Sequence, residues 1–197
     1  HADFGEYLHC KSMLFKQCRV GVANMDDSYW TRITEGALCP IRTFSLEGPA
    51  DLRVTKVTEA RRPGFLGSEI TSTGLVEGTV PLGMPGRFNV SNAAAAMAVT
   101  ALLGVEREAM ERALVNIQVK GRTQVLPTPG HYTVLIDYAH NAVSMENLLA
   151  MLSSYPHHRL ICLFGGGGDR AKARRYDMGE ISAKYADLTV LTMDNPR

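Results

Sequence analysis

Residues 133–197 decide the fold and have the sequence TVLIDYAHNAVSMENLLAMLSSYPHHRLICLFGGGGDRAKARRYDMGEISAKYADLTVLTMDNPR. The apolar runs with the length and composition of buried strands are Thr133–Asp137, Arg159–Phe164 and Leu188–Thr192. Segments of helical periodicity, 142–155 and 176–186, lie between these runs. Strands that alternate with helices predict right-handed crossovers and a parallel sheet. We therefore expect an α/β protein.

Each of the three predicted strands ends in a loop with unusual chemistry. These loops are Asp137–Asn141, Gly165–Arg170 and Asp194–Arg197. In a parallel sheet the carboxyl ends of neighbouring strands meet at one edge, and ligands usually bind there. The sequence therefore predicts a ligand site at this edge.

Composition and charge narrow the class of protein. A formal net charge of +1 over 197 residues, 21% of them charged, favours neither a nucleic-acid partner nor a membrane partner. The four cysteines show no CxxC pair and no disulfide-scaffold density, which indicates a reducing compartment such as the cytoplasm. The chain begins with His1, and it ends at Arg197 inside a predicted loop, so we expect an internal piece of a longer protein.

The first residues predict a helix that begins near Phe4. At 3.6 residues per turn, an otherwise apolar stripe contains Lys11; its other members are Tyr7, Leu14 and Cys18, and Leu8 and Phe15 flank it. A lysine in such a stripe either extends its stem to reach water or has a function. His1 and Asp3 lie just upstream and are candidates to join Lys11 around a metal ion, although they do not form a complete ligand set.

The segment from Arg19 to Leu114 predicts a mixture of strands and helices. Strands are expected at 19–24, 41–46, 52–59 and 69–81, and helices at 29–37, from Ala93 onward and at 106–114. The segment 61–67 is expected to be a loop. Asn89 and Asn92 have two interpretations: they cap the helix or shape its preceding turn, or they offer the paired donor and acceptor that an adenine edge requires. Residues 119–122 are typical of a domain junction.

Five motifs resemble those of one family, the Mur ligases, and occur in that family's order. They are Arg87–Ala93, Val119–Arg122, Asp137–Asn141, Phe164–Arg170 and Asp194–Arg197. The segment from His1 to Phe15 is also similar to the part of the family's central domain that carries a metal-binding histidine and a carbamylated lysine. The resemblance covers nearly the whole chain.

This resemblance implies two partial domains. Residues 1–119 would form the later part of an ATP-binding central domain, with a mixed sheet and helices. Residues 120–197 would form the first part of a Rossmann-like C-terminal ligase domain with a parallel sheet. The family's phosphate-binding loop, G-x-x-G-K-[ST], does not occur in this sequence and would lie upstream of His1. We therefore expect the piece alone to be inactive.

The resemblance also implies an activity. The chain resembles most the branch of the family that uses ATP and Mg²⁺ to add meso-diaminopimelate to UDP-N-acetylmuramoyl-L-alanyl-D-glutamate. That ATP-dependent amide ligase acts through an acyl phosphate during peptidoglycan precursor synthesis, as a cytoplasmic monomer. Two alternatives stay open: a related ligase that uses another amino acid (L-lysine, folylpolyglutamate or cyanophycin type), and a non-catalytic ligase-like binding module.

Several residues acquire roles from the same resemblance. Lys11, carbamylated, would be catalytic and would hold the metal together with His1; because carbon dioxide adds to a neutral amine, burial of Lys11 would favour the modification. Asn89 and Asn92 would lie near the adenine, Arg122 near the phosphates or ribose, and Asp137 on the ribose hydroxyls. His140 would close on the nucleotide and act in catalysis; its alternative is a structural role in the loop.

The acceptor amino acid would be bound further along the chain. Arg170 would belong to the phosphate and second-substrate region, and Asp194, Asn195 and Arg197 would recognise meso-diaminopimelate. The sequence departs from the family pattern in several places: Gln124 stands where a glutamate is usual, Gly166 where a cysteine is usual, and Asn141–Val143 replaces a common T-P-D.

Overall fold

The computed structural model describes residues 3–62, 65–166 and 172–193. The chain divides into two compact units. The first consists of His1–Lys120 and Gln124–Leu135, and the second of Gly121–Thr123 and Ile136–Arg197.

The first unit is built on a five-stranded mixed sheet whose strands lie side by side in the order of the sequence. Its elements in chain order are α1 (Phe4–Ser12), a short 3-10 helix (Met13–Lys16), β1 (Gly21–Asn24), α2 (Trp30–Thr34), β2 (Ile41–Ser45), β3 (Leu52–Arg62), β4 (Phe65–Gly74), β5 (Gly78–Leu82), α3 (Arg87–Leu102), α4 (Arg107–Val115) and β6 (Gln124–Leu126). The pairs β1–β2 and β2–β3 are parallel, whereas β3–β4 and β4–β5 are antiparallel. The predicted mixed sheet is confirmed. β7 (Val134–Ile136) follows and pairs with β6.

The core of the first unit lies between the sheet and α3. Leu52 and Val54 on β3 and Ile70 on β4 are buried, and they share a cluster with the inner face of α3. That face is rich in alanine, and Ala94 and Ala98 are fully buried. Small side chains let the helix approach the sheet closely, and each fully buried Leu, Ile or Val contributes about 1.5–3 kcal/mol.

Gly74 ends β4 at a close approach to the start of β3. Its φ is +91°, and a Cβ there would lie 2.0 Å from the carbonyl oxygen of Asp51. That carbonyl accepts a hydrogen bond of 2.8 Å from the amide of Leu75. Only glycine satisfies both the backbone conformation and the available space. The glycine divides the predicted strand 69–81 into β4 and β5, so the single-strand prediction was wrong.

Two other predictions in the first unit need correction. The segment 61–67 is mostly strand, because β3 continues to Arg62 and β4 begins at Phe65. In α1 the buried residues are Leu8 and Ser12, and Phe15 is buried in the 3-10 helix that follows. The predicted stripe that contains Lys11 is mainly exposed instead.

The second unit contains α5 (Ala142–Ser154), β8 (Ile161–Gly165), α6 (Lys172–Tyr185) and β9 (Leu188–Thr192). β8 and β9 pair in parallel, with Ile161 opposite Leu188 and Gly165 opposite Thr192, as the alternation of strands and helices predicted. The third predicted strand, β7, pairs with β6 instead, so among the described residues the parallel sheet contains two of the three predicted strands. The buried cluster of this unit contains Met145 and Leu149 of α5, Cys162 of β8 and Met178 of α6.

An ion pair between Lys184 and Glu146 joins α6 to α5. Lys184 Nζ lies 2.9 Å from Glu146 Oε1, and the Tyr185 hydroxyl donates to the same oxygen at 3.2 Å. The hydrogen bond from Lys184, together with its charge, lowers the pKa of Glu146, and the same bond raises the pKa of Lys184. Across the described ranges, none of the helices is both long and apolar enough to cross a membrane.

Candidate functional site

Asp137 follows directly after β7 and holds two backbone segments together. Its Oδ2 accepts a hydrogen bond of 2.7 Å from the amide of Thr123, and its Oδ1 accepts one of 2.7 Å from the amide of Ala139. A carboxylate oxygen has two lone pairs, so each oxygen retains capacity for a further donor. Asp137 as a whole residue is half-buried.

Thr123 has an unusual backbone conformation beside this carboxylate. Its φ is +40°, although the side chain is β-branched and buried. A β-branched residue at positive φ is a genuine outlier, and such strain occurs where surrounding contacts determine the backbone. The bond to Asp137 is one such contact.

Three exposed side chains form a row next to Asp137. The guanidinium carbon of Arg122 lies 4.8 Å from the ring centroid of Tyr138, and the rings of Tyr138 and His140 are 4.9 Å apart. His140 Nδ1 lies 3.1 Å from the carbonyl oxygen of Tyr138, a distance at which a protonated Nδ1 donates. The structure thus brings together Arg122, Asp137 and His140, three of the predicted nucleotide residues. We call Arg122, Asp137, Tyr138 and His140 the ring cluster.

The loop leads from the ring cluster into the first turn of α5. Asn141 Oδ1 accepts from the amide of Ser144 at 2.9 Å, and Ser144 Oγ accepts from the amide of Asn141 at 3.3 Å. This reciprocal pair is a capping box. It gives a physical account of Asn141, which departs from the family's usual residue but is a good N-cap. A shallow depression of about 460 Å³ lies over this turn, and its lining includes Asn147 and Asp177.

Asn89 and Asn92 both lie on α3 in the first unit. Helix α3 begins at Arg87 after Gly86, so neither asparagine is the N-cap, and the capping part of that interpretation was wrong, whereas the turn part holds for Asn89. Asn89 is buried, and its Nδ2 donates to the carbonyl oxygen of Pro85 at 2.7 Å. Asn92 is exposed.

Lys11 is exposed on α1, with its Nζ 5.4 Å from the ring centroid of Tyr7. The argument that burial keeps this amine neutral therefore fails. Asp3 is the N-cap of α1 and accepts from the amide of Glu6 at 2.8 Å. Within the described ranges, no group of three or more His, Cys, Asp or Glu residues is placed to hold a metal ion.

The other predicted site residues are the following five. His1, Arg170, Asp194, Asn195 and Arg197 lie outside the described residues.

Two residues of this region, Tyr138 and Thr123, had no predicted role. Tyr138 could have been found, because it is an aromatic residue between an acid and a histidine at a strand end. The left-handed conformation of Thr123 has no signal in the sequence, since β-branched residues rarely adopt it.

Comparisons with known proteins agree along the whole chain. The family described as "Mur ligase middle domain" matches residues 1–100, and "Mur ligase, glutamate ligase domain" matches residues 121–197. The UDP-N-acetylmuramoyl-L-alanyl-D-glutamate–2,6-diaminopimelate ligase of Caldanaerobacter subterraneus subsp. tengcongensis is 34% identical over 198 aligned positions, which cover 100% of this chain and 40% of that protein. The ligase of the same name from Streptomyces avermitilis is 35% identical, again over 100% of this chain and 40% of that protein.

A solved structure of a ligase with the same name superposes with a TM-score of 0.71 at 26% identity, covering 100% of this chain and 42% of that one. The chain therefore spans about 40% of the length of the curated relatives that it matches.

Proposed function

The chain belongs to the Mur ligase family, and from that membership we propose that the protein takes part in joining meso-diaminopimelate to UDP-N-acetylmuramoyl-L-alanyl-D-glutamate. The observation that carries this proposal is the 34% identity, along the full chain, to a relative named as the 2,6-diaminopimelate ligase. The reaction would be ATP-dependent and part of peptidoglycan precursor synthesis. We also propose a monomeric protein in the cytoplasm.

Residues 1–119 are proposed to belong to the ATP-binding central domain, and residues 120–197 to the C-terminal ligase domain. The family matches, which cover residues 1–100 and 121–197, support a boundary in this region. Since the chain spans 40% of the relative's length, other parts of the protein would complete the active site.

The ring cluster fits a nucleotide. The Asp137 oxygens have lone pairs for two ribose hydroxyls, and the Arg122 guanidinium provides positive charge for phosphates. Tyr138 presents an exposed aromatic ring between Arg122 and His140. His140, held by the Tyr138 carbonyl and by Ser144 Oγ, is proposed to close this side of the nucleotide and to act in catalysis. When bound, ATP would supply the phosphoryl group that activates the substrate carboxylate.

The adenine is proposed to contact α3. Asn92 is exposed there, and its amide offers both a donor and an acceptor. Asn89 has its Nδ2 bonded to Pro85, so we propose that it shapes the turn from which Asn92 is presented.

The described residues do not by themselves fit a magnesium ion. They contain no group of three candidate ligands, and Lys11 is exposed. The proposal of Mg²⁺, held by His1 and a carbamylated Lys11, therefore rests on the family resemblance. Arg170, Asp194, Asn195 and Arg197 are likewise proposed to bind the acceptor amino acid because of that resemblance.

The test is ADP release by the full-length protein with UDP-N-acetylmuramoyl-L-alanyl-D-glutamate, ATP and Mg²⁺. Meso-diaminopimelate and L-lysine would be compared as acceptors. We expect turnover with meso-diaminopimelate alone. Turnover with L-lysine alone would overturn the proposed acceptor, and no turnover from a folded protein would favour the non-catalytic binding module.

A pair of arginine variants tests the ring cluster in the same assay. Arg122→Ala should raise the KM for ATP by about tenfold or more, because a charge-assisted contact contributes about 1.5–3 kcal/mol. Arg159→Ala, which removes an exposed arginine from the same unit, should leave the KM unchanged. Equal values for the two variants would exclude Arg122 from nucleotide binding.

A further inference from the structure

Two cysteines that are distant in the sequence contact each other in the first unit. Cys18 follows the 3-10 helix and Cys39 precedes β2, and their Sγ atoms are 3.4 Å apart. Both are half-buried, and Cys39 Sγ also lies 3.3 Å from the carbonyl oxygen of Phe15. A disulfide has an S–S distance of about 2.05 Å, so the sulfurs need to approach by about 1.3 Å.

The backbone around the two sulfurs is already held in place. The amide of Leu38 donates to the Phe15 carbonyl at 3.1 Å, and the amide of Gly21 donates to the Pro40 carbonyl at 2.9 Å. These bonds flank the cysteine pair on both sides and join the two chain segments that carry it. A bridge therefore requires mainly side-chain rotation. The fold has already closed the segment 18–39, which an unfolded chain closes only at an entropic cost.

We propose that Cys18 and Cys39 are a redox-modification site that forms a reversible intramolecular disulfide. The oxidant is a low-molecular-weight disulfide such as oxidised glutathione. The Cys18 thiolate attacks one sulfur of that molecule, breaks its S–S bond and releases one small thiol. The Cys39 thiolate then attacks Cys18 Sγ and releases the second small thiol. The two protein thiols lose two electrons, which reduce the small disulfide, and their two protons pass to the released thiols.

The surroundings of the pair support this order of attack. Partial burial, followed by the hydrogen bond with Cys18, raises the pKa of the Cys39 thiol. Cys39 is therefore poorly suited to attack first, since the thiolate is the nucleophile. It is well placed as the resolving thiol, because it already contacts Cys18.

The bridge would act on the helix that carries Lys11. The closed segment 18–39 contains β1 and α2, and Tyr29 within it contacts Phe4 of α1 with ring centroids 4.9 Å apart. Oxidation would thus tie the end of the 3-10 helix to the start of β2, on the side of the sheet where α1 meets α2. This inference does not depend on the proposed ligase reaction.

The test is equilibration of the intact protein with defined ratios of oxidised and reduced glutathione, followed by alkylation and peptide mass spectrometry. A Cys10→Ser background removes the exposed cysteine of α1. We expect a linked pair of peptides containing Cys18 and Cys39 that has lost two hydrogen atoms. The equilibrium constant for the bridge should be at least about tenfold larger in the native protein than in urea, because the fold holds the thiols in contact.

Variants that lack one cysteine of the pair serve as controls. Cys18→Ser and Cys39→Ser should each abolish the linked peptides and leave at most a mixed disulfide with glutathione. A native-to-urea ratio at or below one would overturn the proposal. So would mixed disulfides as the only products in wild-type protein that keeps its native circular dichroism.

Discussion

Asp137 shows how one residue can serve the fold and the proposed site together. Both carboxylate oxygens accept backbone amides, one from Thr123 and one from Ala139. The sequence predicted an acid at the end of a strand and therefore its place at a ligand-binding edge. The structural task of Asp137 could not be predicted, because it depends on the left-handed backbone of Thr123.

Replacing Asp137 should show how much its hydrogen bonds with the amides of Thr123 and Ala139 contribute to stability. Hydrogen bonds to a charged group contribute about 1.5–3 kcal/mol each, so we expect the loss of both bonds in Asp137→Ala to lower the free energy of unfolding of the second unit by about 3–6 kcal/mol. Asp137→Asn keeps one good acceptor and should lose about half as much. Urea unfolding measures the change, and hydrogen exchange at the amides of Thr123 and Ala139 assigns it.

The matched control for this loss is Glu180→Ala, which removes an exposed acid from α6 in the same unit. Surface changes of this kind usually stay within about 0.5 kcal/mol. A loss in Asp137→Ala no larger than in Glu180→Ala would show that the two amide bonds contribute nothing to stability.

At the scale of the elements, the sequence predicted most helices and strands but not every boundary or buried face. β9 has the predicted bounds, and α5 and α4 differ from their predicted ranges by a residue or two. The first helix was placed correctly, yet the wrong stripe was chosen: Leu14 is exposed and Leu8 is buried. Apolar character alone cannot distinguish neighbouring stripes, because many apolar side chains stay on the surface of a folded protein.

The junction between β2 and β3 depends on Asp51. Its carboxylate accepts from the amide of Thr43 at 2.8 Å, from the Thr43 hydroxyl at 3.0 Å and from Arg42 at 3.1 Å. Burial by itself would raise the pKa of Asp51, but these hydrogen bonds and the arginine charge outweigh it and hold the pKa below its usual value.

This lowered pKa predicts the acid dependence of stability in the first unit. The Asp51 contribution is fully present above the unfolded-state pKa of about 3.9 and is lost as the pH falls through the lower folded-state pKa. Asp51→Asn should therefore reduce stability above pH ~4 and flatten the decline below it. Unfolding free energies measured from neutral to acid pH test this. Glu77→Gln, at an exposed acid of the same unit, should keep the wild-type slope, and an unchanged slope in Asp51→Asn would contradict the assignment.

At the scale of the whole molecule, several exposed apolar side chains lie on the β8–β9 sheet. Cys162 points into the cluster with α5 and α6, whereas Leu163 is 66% exposed and its paired residue Val190 is 37% exposed. The sequence predicted both strands as buried runs. Only Cys162 is buried in β8 and no residue is buried in β9, so the prediction was wrong for most positions. A parallel strand is buried on both faces only when both faces are covered.

Because this face is exposed, we expect a protein that consists of residues 1–197 to bind an apolar fluorescent dye. Leu163→Thr should reduce the fluorescence of a bound apolar dye and change stability by no more than about 0.5 kcal/mol. Cys162→Ser, at the adjacent inward position, should leave dye binding unchanged and lower stability by about 1–3 kcal/mol. If Leu163→Thr binds as much dye as the wild type, another surface is responsible.

The strand order of the first unit also has a consequence for the order in which the chain folds. β3, β4 and β5 are consecutive in the sequence and paired antiparallel, so short turns bring their partners together. The parallel pair β1–β2 joins residues 20 positions apart, such as Gly21 and Ile41, so it requires a longer chain closure, which is slower. We expect the β3–β4–β5 hairpins to acquire protected amides first during refolding, with β1 joining later. Pulsed hydrogen exchange would reveal this order, and simultaneous protection of Ile70 and Ala23 would contradict it.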